Sequence, residues 1–323
     1  MKTLRIAARV ATAILCAGLS LAAVAQGTPP QTTKIVVPYS PGGATDLLAR
    51  LVAERLRERS GRAVIVENRP GASGQIGAKV VAEATPDGST FLVHTPAWVT
   101  SNIFFKSPSV SAPDGLEPVS LLAEEEYVLA SSVAAPFETF RQFASFAKAN
   151  PGKLNFASGG LGETYLIFEA FKKEHGLDIV SIEYKGAAPA LIALMTNEVQ
   201  LGYQPATIAS SQARDGKMRM LAISGDARSP RYPDVPTFKE GGVNHARHRW
   251  YALYAPPKTP KAIVDRMNAD IAAILATPEV AAKLAAVSMV PRSSKPGELR
   301  KLTEDSMREY TQMSKVIGYQ PQN

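Results

Sequence analysis

The 323-residue sequence has one cysteine, Cys16, and four histidines, His94, His175, His245 and His248. That scarcity excludes a disulfide scaffold and thiolate-ligated metal centres, which need several cysteines at set spacings. No glycine-x-serine-x-glycine elbow is present, so the usual exposed serine nucleophile of an α/β hydrolase is missing. Neither the P-loop lysine nor the glycine spacing of a dinucleotide fingerprint occurs, and neither cofactor is indicated. Beyond the amino terminus no stretch of about twenty apolar residues follows, which argues against a membrane span. His245 and His248 in NHARHRW have a spacing that meets one metal if helical, but Arg247 and Arg249 would repel the cation. No catalytic residue and no metal ligand is therefore assigned, and no cofactor is expected.

What is present begins with an export signal. Lys2, Arg5 and Arg9 precede the apolar run Ala11 to Leu21, and Ala23-Val24-Ala25 is a small-x-small cleavage site. Cleavage after Ala25 leaves 323 − 25 = 298 residues, lowers the net charge from +7 to +4, and removes the only cysteine. The expected location is the periplasm. A cysteine-free exported chain of this size rests on its own apolar cores. The remaining basic residues alternate with acids, as in Arg55, Arg57, Glu58 and Arg59, so nucleic acid is not an expected partner.

The chain is organised around KIVVPYSPGGATD, Lys34 to Asp46: a β-branched strand, a glycine turn, and a helix from Asp46 to about Ser60 that Thr45 caps. Unpaired N–H groups at such a helix start attract an anion. Strands follow near Arg62 to Glu67 and Thr90 to Val93, with a second small-residue turn at Gly71 to Gly77 between them. This is the α/β pattern of a parallel sheet, whose ligand sites lie beyond the strand carboxyl ends. Leu121 to Ser131 is read as a crossing into another domain. There the strand Leu154 to Ala157 runs into Ser158-Gly159-Gly160-Leu161-Gly162-Glu163-Thr164 and another helix, repeating the opening unit. Strands at Ile179 to Tyr184, Val199 to Tyr203 and Met220 to Ser224 continue this half, with a loop at Gln204-Pro205-Ala206. Trp250 to Ala255 crosses back, and three closing helices are expected to pack on the first lobe. Two crossings make a hinge, and the two glycine turns face each other over a cleft. The expected fold is α/β in two lobes, the venus-flytrap plan of a periplasmic binding protein. Its parts are a signal at 1–25, lobe 1 at 26–127 plus 247–323, and lobe 2 at 128–246.

Several blocks resemble one family. VVPYSPGGATDLLAR, VENRPGASGQIGA, TPDGSTFLV, PGKLNFAS, YKGAAPALIAL, GKMRMLAISGDARSPRYPDVPTFKEGG and APPKTPKAIVDRMN occur in order. Together they are similar to the periplasmic solute receptors of tripartite tricarboxylate transporters, over nearly the whole mature chain. The resemblance implies a receptor, not an enzyme, that binds a small mono-, di- or aromatic carboxylate and delivers it to membrane permease subunits; monomer is the default state. It implies that Tyr39 packs on the ligand, that Ser40, Gly43, Ala44 and Thr45 form the first jaw, and that Asp46 orients the loop. Ala72 and Ser73 lie beside it. Ser158, Gly162, Glu163 and Thr164 belong to the second jaw, Lys185, Gly186, Ala187 and Pro189 line the cleft, and Tyr203, Gln204 and Pro205 set its far end.

The sequence departs from the family where a small hydroxyl residue and a histidine are usual, since it has Glu163-Thr164-Tyr165. Glu163 either points into the cleft, where it disfavours an anion, or sits in the helix's first turn facing solvent, and the solvent position is the preferred reading. Trp98 with Tyr127 is expected to accept an aromatic acid. An exported hydrolase using the same cleft through Ser158, and a sensor presenting its closed form to a partner protein, are the alternatives.

Overall fold

The computed structural model describes residues 32–184, 187–243 and 248–321. Lys185, Gly186, His245 and the expected signal at 1–25 lie outside the described residues. No described helix is long and apolar enough to cross a membrane.

Two sheets organise the chain. The first contains β1 (Thr32–Val37), β2 (Ala63–Asn68), β3 (Thr90–His94), β4 (Glu117–Glu125), β10 (Arg249–Ala255) and β11 (Met289–Pro291), in the order β11-β4-β10-β3-β1-β2. The second contains β5 (Tyr127–Ser132), β6 (Leu154–Ser158), β7 (Ile179–Glu183), β8 (Leu201–Pro205) and β9 (Met218–Ile223), in the order β7-β6-β8-β5-β9. Helices α1 (Ala44–Ser60), α2 (Gln75–Ala82) and α3 (Ala97–Phe104) connect the first sheet. Helices α4 (Phe140–Ala149), α5 (Glu163–His175), α6 (Ala187–Met195) and α7 (Ala206–Arg214) serve the second, and α8 (Lys261–Leu275), α9 (Pro278–Ala285) and α10 (Pro296–Ile317) close the chain.

Neither sheet is purely parallel, and the exceptions decide which residues share an edge. β1 is parallel to β2 and β3, but β10 runs antiparallel between β3 and β4. Its first residue, Arg249, therefore lies opposite Glu125 at the edge where β1, β3 and β4 end. In the second sheet β5 is antiparallel to β8 and β9, so its first residue, Tyr127, lies opposite Pro205, at the edge where β6 and β8 end. The carboxyl-terminal edges of the parallel strands and the starts of β5 and β10 thus meet around Glu125-Glu126-Tyr127.

Burial follows residue type. Ile35, Val36 and Val37 are wholly buried, and Leu48, Ala49, Val52 and Leu56 give α1 the apolar face that packs with Ile35 and Val37, while Val36 faces the other side of the sheet toward Ala78 and Val81. In the second half Phe137, Phe140, Phe143, Phe168 and Phe171 form an aromatic core.

Three local expectations change. Thr45 does not cap α1: the helix starts two residues earlier with Gly43 at the N-cap and no side-chain cap, and Thr45 is buried in its first turn. Gln204 and Pro205 are not a loop, because β8 runs through both into α7. α10 does not belong to the first sheet's core alone. Tyr310 and Met313 pack in one cluster with Trp98 and Phe104 of α3 and with Leu166, Ile167 and Ala170 of α5, so this helix joins both halves.

The first turn is held close to its neighbour by a missing side chain. A Cβ on Gly77 of α2 would lie 2.7 Å from Pro38 Cβ and 2.9 Å from Pro38 Cα. Backbone cannot swing aside as a flexible side chain can, so Gly77→Ala is expected to cost about 1–3 kcal/mol of stability by overpacking. Urea unfolding of the variant measures this, and an unchanged midpoint with an unchanged slope contradicts it.

Candidate ligand-binding site

The first glycine turn is built by one carboxylate. Asp46 Oδ2 accepts from the Gly42 backbone N–H and from Arg50 Nε, both at 2.9 Å, while Oδ1 accepts from Asn68 Nδ2 at 2.9 Å. Burial opposes its ionisation, but the bonds from Arg50, Gly42 and Asn68 together outweigh that and hold its carboxyl below the usual range. Gly42 sits at φ +85°, where L side chains are strained. The result is a tied-back loop with Ser40 and Gly43 exposed, Ala44 half-buried, and α1 opening without a side-chain cap. Its first N–H groups are the anion-attracting feature that the sequence predicts.

Tyr39 stands behind this turn. Its hydroxyl bonds Thr95 Oγ1 at 2.9 Å, and its ring meets His94 edge-on at 5.8 Å. Burial pushes the hydroxyl up to about 12, with Glu163 adding to the rise and Thr95 and Arg249 opposing it. Both charges therefore bear on Tyr39, although Glu163 begins α5 beyond the second sheet. Beside the turn, Ala72 and Ser73 take left-handed φ values of 47° and 53°, a cost of about 1–2 kcal/mol each for non-glycine residues. Ala72 opens onto a separate hollow of about 370 Å³ shared with Gln75 and the segment 105–109.

The second turn brings Gly162 to the start of α5 in extended conformation, again without a side-chain cap. Ser158 is buried and donates to its own turn at Gly160 O, 2.7 Å away, so its hydroxyl is committed locally. Ala187 and Pro189 are exposed at the start of α6. Tyr203 is half-buried against Phe156, Phe168 and Phe238, Gln204 is buried, and Pro205 is the N-cap of α7.

Two aromatic and acidic expectations are corrected. Trp98 is fully buried, donates its indole N–H to Val110 O at 2.9 Å, and meets Tyr254 at 4.9 Å between ring centroids. It is a core residue with no face left for an aromatic acid. Glu163 does not face solvent: it is 7% exposed, and its Oε1 lies 3.1 Å from Arg249 Nε.

Arg249 is the functional residue that sequence reasoning misses. Its Nη1 donates to the Tyr127 hydroxyl at 3.1 Å, and its guanidinium lies 5.8 Å from the Tyr251 ring centroid. Glu125, which accepts from the Tyr251 hydroxyl, is pushed by burial above the usual carboxylate range, with Arg249 opposing the shift. Arg249, Glu163, Thr164, Tyr127 and Tyr203 share a narrow cavity of about 30 Å³ with Ser224, His248 and Glu309. The His248 ring, flagged in the sequence for metal, is hydrogen-bonded to Ser224 at 3.0 Å. Among the described residues no three histidine, cysteine or carboxylate side chains gather around a metal position. A larger cavity of about 590 Å³ lies behind the crossing, between α7 and residues 231, 232, 285 and 286, and holds none of the expected site residues.

A family model described as "Tripartite tricarboxylate transporter family receptor" matches residues 48–319. The chain belongs to this family. It is a periplasmic solute-binding protein by family and fold, not an enzyme. A UPF0065 protein of Bordetella pertussis is 31% identical over 326 residues, covering 100% of each chain. BugT of the same organism is 29% identical over 98% of this chain and 99% of its own. Among solved structures, the R. palustris protein Rpa4515 with adipate is 30% identical with a TM-score of 0.81, over 91% of this chain and 99% of that one. The periplasmic binding protein BugD is 28% identical with a TM-score of 0.78, over 91% and 100%. MatC from Rhodopseudomonas palustris with bound malate is 28% identical with a TM-score of 0.75, over 90% and 100%.

His94, edge-on to Tyr39 behind the first glycine turn, is wholly buried, and burial, reinforced by the Arg249 charge, lowers its pKa to about 3 from 6.5. A depressed histidine pKa leaves the folded state favoured above 6.5 and penalised as pH falls toward 3, because only the unfolded chain takes up the proton. Wild-type stability is expected to fall between pH 7.5 and 4.5 by about 2–3 kcal/mol more than that of His94→Gln, at about 1.4 kcal/mol per pH unit. Denaturant titrations of both proteins at the two pH values measure this, and equal losses contradict it.

Proposed function

We propose that this receptor captures a small organic carboxylate between lobe 1, residues 26–127 plus 247–323, and lobe 2, residues 128–246. It then hands the acid to the membrane permease subunits of a tripartite tricarboxylate transporter. In this reading the chain is cleaved after Ala25 and works in the periplasm as a monomer. The observation that carries it is the pairing of two uncapped helix starts, α1 and α5, one from each sheet. Tyr39 beside one of them feels the charge of Glu163 at the other. Two sets of unsatisfied N–H groups offer a carboxylate donors from both sides without any fixed cation.

Tyr39, Ser40, Gly43, Ala44 and Thr45 make the first jaw, with Asp46 tying it back and Ala72 and Ser73 alongside. Gly162 and Thr164 make the second. Ser158 supports it through its bond to Gly160, Ala187 and Pro189 stand at the rim, and Tyr203, Gln204 and Pro205 close the far end. The adipate and malate named with two similar structures support an organic acid as the cargo.

Gly43 separates this reading from a structural turn. A Cβ there meets only Ser40 O at 3.9 Å, so a side chain fits the fold but protrudes where the carboxylate approaches. Calorimetry of the purified protein against a panel of aliphatic acids is expected to show binding, weakened about tenfold or more in Gly43→Val, a loss of about 1.4 kcal/mol. Circular dichroism should be unchanged. Folded wild-type protein that binds no acid contradicts the function, and undiminished binding by Gly43→Val contradicts the assigned turn.

A further inference from the structure

Glu163 and Arg249 face each other in a way that leaves both incompletely satisfied. Oε1 and Nε are 3.1 Å apart, yet each is buried without a hydrogen-bond partner among the described residues. The pair approaches by charge while its donor and acceptor directions stay unfilled, which is costly for buried ionic groups. The cavity they line has room for about one water-sized body, and Thr164 of the second jaw shares its wall.

The cation at this cavity is already committed. Among the described residues Arg249 is the one guanidinium lining it, faced by Glu163 and set opposite Glu125 in the strand ladder. A ligand carboxylate held by the two helix starts needs no share of Arg249. A second carboxylate at the ligand's far end would have to take Arg249 from Glu163 and leave that glutamate buried beside it, a like-charge arrangement that proteins disfavour strongly. A hydroxyl meets both needs at once, donating to Glu163 Oε1 and accepting from Arg249 Nε.

We propose that the Glu163–Arg249 pair is a specificity device that admits monocarboxylates bearing a hydroxyl at the far end and rejects dicarboxylates of the same length. This rests on the organic-acid reading above and narrows it.

The test pairs acids that differ only at one end: 4-hydroxybutyrate against succinate, and 6-hydroxyhexanoate against adipate, titrated calorimetrically at neutral pH. Wild-type protein is expected to bind the hydroxy acid at least about tenfold more tightly than its diacid. In Glu163→Gln, where Arg249 is released, the diacid should gain about tenfold or more relative to the hydroxy acid. A Glu163→Gln, Arg249→Gln double variant removes the bare buried cation and should lose most of the discrimination in either direction. A wild-type protein that binds the diacid as tightly as the hydroxy acid overturns the proposal without needing any variant to fold. An unchanged ratio in folded Glu163→Gln overturns it as well. If folded wild-type protein binds none of the four acids nor any in the wider panel, the organic-acid reading itself fails and this inference goes with it. Binding of other acids together with loss of the hydroxy-acid preference condemns the inference alone.

Discussion

A half-buried guanidinium between two sheets has to be compensated from both, and Arg249 is where this molecule meets that requirement. It starts β10 opposite Glu125, donates to Tyr127 at the first residue of β5, and faces Glu163 at the first residue of α5. Those partners come from segments that are distant from Arg249 in sequence. Removing Glu163 leaves that guanidinium short of its countercharge. The relative placement of the two sheets is therefore coupled to the chemistry of the cleft between them.

The crossing next to Arg249 is reinforced by a second polar cluster. Glu126 donates its N–H to Ser288 O at 3.2 Å, accepts from Ala206 N at 2.9 Å through its carbonyl, and pairs with Arg231 at 2.6 Å. Ser288 also accepts the Thr207 N–H through its hydroxyl. Backbone groups that leave one sheet and have not yet joined the next are paired in this way, as buried polar groups require. α10 adds an apolar tie through Tyr310 and Met313 against α5.

Much of this is legible in the chain. β-branched runs mark the strands, glycine clusters mark the two turns, and their repetition marks two lobes, because each depends on nearby residues only. Asp46 as the loop's anchor comes from the family resemblance, since its place in the first helical turn alone speaks only for capping. What the sequence hides depends on contacts between distant segments. Glu163 reads as solvated because a first-turn glutamate is well placed beside a helix dipole, but the guanidinium from β10 draws it inward. Trp98 reads as a ligand contact because it follows a strand end, whereas the carbonyl of Val110 and the ring of Tyr254 enclose it. Arg249 stands out in sequence only as a charge that repels metal, since nothing local announces that an antiparallel strand begins at the cleft edge. The departure from family pattern at Glu163-Thr164-Tyr165 is the one available signal.

The central claim is that two facing helix starts, one per lobe, hold a small organic acid. A crystal structure of the protein with its acid, either copurified or added, tests this most directly. The account predicts the carboxylate between the 40–45 and 162–164 backbone, with Tyr39 against the ligand. An acid seated instead in the 590 Å³ cavity behind the crossing, with both turns facing solvent, contradicts it.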